Sequence, residues 1–102
     1  MDGSAELRDG LDRLHAALDD LVVRGVRSAG ATDLKRLGAL RDEFRTAGAE
    51  HLAGRLTTLL DAVRAGDRTA AADLLRAMTA TRLFDRVFTL ESAREMLQDA
   101  GA

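Results

Sequence analysis

The sequence predicts an all-α protein: four main antiparallel helices in a bundle-like array, followed by a short fifth C-terminal helix. Three observations lead there. Leucines recur at intervals of three and four along most of the chain, the spacing that collects side chains on one helical face. Proline is absent, and glycines fall mainly between the periodic stretches. No alternation of apolar and polar residues persists long enough to mark a strand.

The first helix is expected from a cap near Ser4 to about Val23 or Arg27, with Leu7, Leu11, Leu14, Leu18 and Leu21 on one face. Gly25 lies close to its end, and residues 28–31 read as a loop. Thr32 is the expected cap of a second helix, which carries Leu34, Leu37, Leu40 and Phe44 and stops at Gly48. The third, about 49–65, presents Leu52, Leu56, Leu59, Leu60 and Val63 before Gly66. Asp67 is placed to cap a fourth helix bearing Ala71, Leu74, Leu75 and Met78. Thr89 reads as a break and a new cap, leaving Leu90, Ala93, Met96 and Leu97 on a short terminal helix with Glu91 in its first turn.

A chain of 102 residues forms one domain's worth of core, residues 1–102 as a single unit. Its many alanines favour close helix packing over a roomy ligand cavity. The formal charge of −2 supplies no long-range attraction to nucleic acid or anionic lipid. No leader pattern or membrane-length apolar run is present, so cytoplasmic residence is the expectation. Arginine far outnumbers the single Lys35, and Ile and Asn are missing; a nucleotide-composition bias explains this more simply than a demand for guanidinium groups.

The chemistry on offer is sparse. There is no cysteine, hence no thiolate nucleophile or thiolate metal site. His15 shares a helical face with Asp12 and Asp19, a set of ligand types that an acid-rich helix also assembles by chance. His51 beside Leu52 reads as a boundary residue. Glu91, Glu95 and Asp99 form an acidic row, but the Glu-x-x-His pattern of carboxylate-bridged metal bundles is missing. No catalytic residue, cofactor or metal ligand is therefore assigned.

What remains is contact. The expected function is a non-enzymatic protein–protein interaction module, homodimeric or a small subunit of a larger assembly. Its contact residues would be Leu7, Leu11, Leu14 and Leu18, which approach a coiled-coil seam, and Phe84, Val87 and Phe88. The latter, with Leu83, spread over a wider arc than one core stripe covers. Either the terminal helix folds back over that arc or a partner does. One alternative is a DNA-binding or transcription-associated role for the basic 24–45 stretch, with Lys35, Arg36, Arg41 and Arg45 on phosphates. A metal-dependent bundle enzyme built on Asp12, His15 and Asp19 is the other.

Overall fold

The computed structural model describes residues 3–101. Among these, the chain forms four α-helices: α1 (Gly3–Arg24), α2 (Ala31–Thr46), α3 (Glu50–Ala65) and α4 (Ala70–Gly101), with a 3₁₀ turn at Val26–Ser28 between the first two. Helix α1 packs on α2 and α4, and α3 packs on the same two neighbours. The all-α expectation holds, and the architecture is bundle-like.

Several helix ends have a local cause. Gly25 adopts φ +88° after α1, a conformation that costs an L side chain about 1 kcal/mol or more. Arg24 at that end is held by Asp20 (2.6 Å) and by Asp33 across the turn (2.7 Å). The expected Thr32 cap is displaced: Gly30 precedes α2, and its N–H donates to the Asp33 carboxylate at 2.9 Å. An acid three residues into the helix thus satisfies an orphan donor without a capping side chain at Gly30. Ser4 lies inside the first turn of α1 and does not precede it. Helix α3 closes on left-handed Gly66, where the Asp67 N–H reaches the Ala62 carbonyl at 2.9 Å, a Schellman arrangement. Asp67 then accepts the Thr69 N–H at 2.9 Å, which steers the chain into α4.

The core is the leucine stripes closed on one another. Leu11, Leu14, Leu18 and Leu21 meet Leu37, Leu40 and Phe44, with Leu52, Leu56, Leu59 and Leu60 opposite. Helix α4 supplies mainly small groups, Ala77 and Ala80 beside Leu74, which lets its backbone come close. Two buried polar side chains lie on this face. Thr81 donates to the Ala77 carbonyl at 2.7 Å, and Asp73 accepts from Thr69 and Arg76. Of the apolar residues read onto this helix, Ala71 and Leu75 lie outside, because the buried row of α4 runs through Ala70, Leu74, Ala77 and Thr81.

The largest departure is at Thr89. Among the described residues no separate fifth helix forms, because α4 continues through Thr89 as one helix of 32 residues. The Thr89 hydroxyl donates to Asp85 one turn earlier at 3.2 Å, and the residues that follow, Leu90 to Gln98, include many strong helix formers and no Gly or Pro. The cap signal therefore has no backbone break to serve. At about 1.5 Å per residue, α4 spans roughly 48 Å, and it accounts for the long dimension of a molecule measuring 53 × 22 × 21 Å. None of the described helices is long and apolar enough to cross a membrane.

Candidate functional site

The continuity of α4 creates a candidate contact surface. One face, through Leu74, Ala77, Ala80, Phe84 and Phe88, turns to the core. Leu83, Val87, Leu90 and Leu97 lie on the other side and are 54–74% exposed. Leu83, Leu90 and Leu97 are seven residues apart, and Val87 falls four after the first, so the four form a single straight row on the helix surface. An amphipathic helix buries one apolar face; α4 has a second that the described residues leave largely exposed.

Of the residues expected to meet a partner, Leu11, Leu14 and Leu18 are wholly buried inside the chain's own core, and Leu7 packs half-buried at its edge. That seam closes within the molecule. Phe84 and Phe88 also turn inward: Phe84 meets Phe44 edge-to-face at 5.8 Å and stacks on Phe88 at 6.4 Å. Val87 alone of the set faces outward. The expected fold-back of a terminal helix over this arc does not occur, since that segment is the continuation of α4 itself. Leu90 and Leu97 were expected on that separate helix. The seven-residue repeat running through Thr89 is the signal that connects them to Leu83.

A polar cluster fixes α4 where it leaves the body. Asp85 accepts from Arg8 Nη2 at 2.6 Å and from His15 Nε2 at 2.9 Å, both on α1, and from Thr89. Arg8 also donates to Thr89 at 3.0 Å and lies over the Phe88 ring, 5.3 Å from its centre. The Arg8 hydrogen bond pulls the Asp85 carboxyl down to about 2, against the opposing effect of partial burial; His15 and Thr89 add to the lowering. An ionised Asp85 requires Nε2 of His15 to be the donor. His15 thus serves a contact seventy residues away in sequence, not visible from its neighbours Asp12 and Asp19. The hydroxyl present, Thr89, bonds the carboxylate and not the imidazole, so no nucleophile–base pair is assembled. Among the described residues no cluster of metal-ligating side chains forms.

An open groove of about 930 Å³ separates α1 from α2, floored by Leu7, Gly10 and Phe44. Arg13 spans it, bonded to Asp9 at 2.9 Å and Glu43 at 3.2 Å. Of the basic 24–45 stretch, Arg24 is engaged by Asp20 and Asp33 and Arg41 by Asp42. Compared with protein-family models, with characterised proteins and with solved structures, the chain matches none.

Proposed function

We propose that this chain is a non-enzymatic protein-interaction module, a dimer or a subunit of a larger assembly, and that it binds through the outer face of α4. The observation that carries this reading is the uncovered row Leu83, Val87, Leu90 and Leu97 on a helix whose opposite side is backed by the core only as far as Phe88. Covering the exposed part of such side chains is worth roughly 1 kcal/mol each, and among the described residues nothing collects that energy. The clamp of Asp85 by Arg8 and His15 supports the same reading, because it fixes the helix at the point where the row leaves the body. The reading takes successive helices as antiparallel neighbours, on the shortness of the connections at 25–30, 47–49 and 66–69.

A photoreactive amino acid at position 90, expressed in the source cells, tests it. Discrete cross-linked products are expected there, absent when the probe sits at exposed Asp61 on α3 or when Leu97→Asp accompanies it. Equal labelling at 61 and 90, or no product at 90, would overturn the assignment.

A further inference from the structure

The uncovered row has the order of a two-stranded coiled-coil seam. Leu83, Val87, Leu90, Arg94 and Leu97 alternate steps of four and three. In that frame Arg86 and Glu91 occupy the two flanks, five residues apart, the offset at which flanking side chains of two parallel, in-register helices meet. Among the described residues neither one makes an ion pair within its own chain. We propose that two copies of this chain pair through α4, parallel and in register, with Leu83, Val87, Leu90 and Leu97 against their counterparts and Arg86 of each copy against Glu91 of the other. This rests on the reading of α4 as a contact surface and names the occupant of that surface as a second copy.

Charge complementarity chooses both the occupant and the orientation. A parallel pair forms the Arg86–Glu91 contact twice by symmetry. The opposite orientation, centred on Leu90, brings leucines together equally well but turns Glu91 towards Glu91. It also leaves Arg86 on a flank of Arg82, Thr89, Ala93 and Met96, with no acid to meet. Arg94 interrupts the apolar row in the parallel pair and places like charges together. Two apolar heptads with that interruption make a weak, concentration-dependent dimer, tightened by Arg94→Leu.

The chain's lack of cysteine makes the orientation directly readable on the full-length protein. Solution mass by light scattering over a hundredfold concentration range is expected to rise from one chain of 11.0 kDa towards two. Leu97→Cys alone and Leu83→Cys alone should each oxidise to a covalent dimer. Cross-linking only in a mixture of the two would overturn the parallel orientation. Arg86→Glu and Glu91→Arg should each weaken pairing about tenfold, and the double exchange should restore it. A mass of one chain at every concentration would overturn self-pairing; the photo-cross-link at position 90 then decides independently whether a different protein occupies the face.

Discussion

Asp85 receives three side-chain donors, two of them from α1, and this sets how the α1–α4 contact responds to acid. Its folded value of about 2 lies below the 3.8 of an unconstrained aspartate. The stabilisation is therefore complete above roughly pH 4 and is lost as pH falls towards 2. The full shift corresponds to somewhat over 2 kcal/mol, and the partial exposure of Arg8, 40% against 24% for Asp85, reduces it to about 1–2 kcal/mol. Asp85→Asn is expected to lose that amount at pH 7 and only about a third of it at pH 2.5. Denaturant unfolding at both values checks this; an equal deficit at both would mean that charge is not the cause.

At the scale of the element, α4 is one helix with two regimes. From Ala70 to Phe88 it is backed by the core, and beyond Phe88 all described residues except half-buried Ser92 are exposed. Helical hydrogen bonds without packing open easily, because isolated helical segments this short are marginal in water. Amide exchange is expected to be slow from Leu74 to Phe84 and much faster from Ala93 to Gly101 at concentrations where the chain is a monomer. Protection of 93–101 rising with protein concentration would mark the segment as part of the contact. Uniform protection along α4 at high dilution would show instead that the distal turns are held within the chain.

For the molecule as a whole, position in the bundle decides what a leucine does. Leu14→Ala removes a side chain with no exposed surface and is expected to cost about 2–5 kcal/mol of stability. Leu90→Ala, on the outer face, should change stability of the monomer by less than about 0.5 kcal/mol and act on association instead. Thermal and denaturant unfolding of the two variants, beside their solution masses, separates the roles. A large loss of monomer stability from Leu90→Ala would place that side chain in an intramolecular core.

The sequence by itself determined the helices and most of the core. Leucine spacing is a local property, and with no proline and with glycines after α1 and α3 the backbone had few alternatives. Thus Leu37, Leu40, Phe44, Leu52, Leu56, Leu59 and Leu60 were legible as buried. The tertiary structure alone decided which apolar face each helix turns inward where two compete. Leu75 and Leu74 are adjacent, and only the approach of α3 and α1 to α4 assigns one to the core and the other to solvent. It also decided the partner of His15, since Asp85 is distant in sequence and no local pattern couples them. The reach of α4 is the clearest case. Thr89 is a good cap taken alone, but with its hydroxyl engaged by Asp85 and Arg8 the helix continues. Three leucines at seven-residue spacing then share one surface.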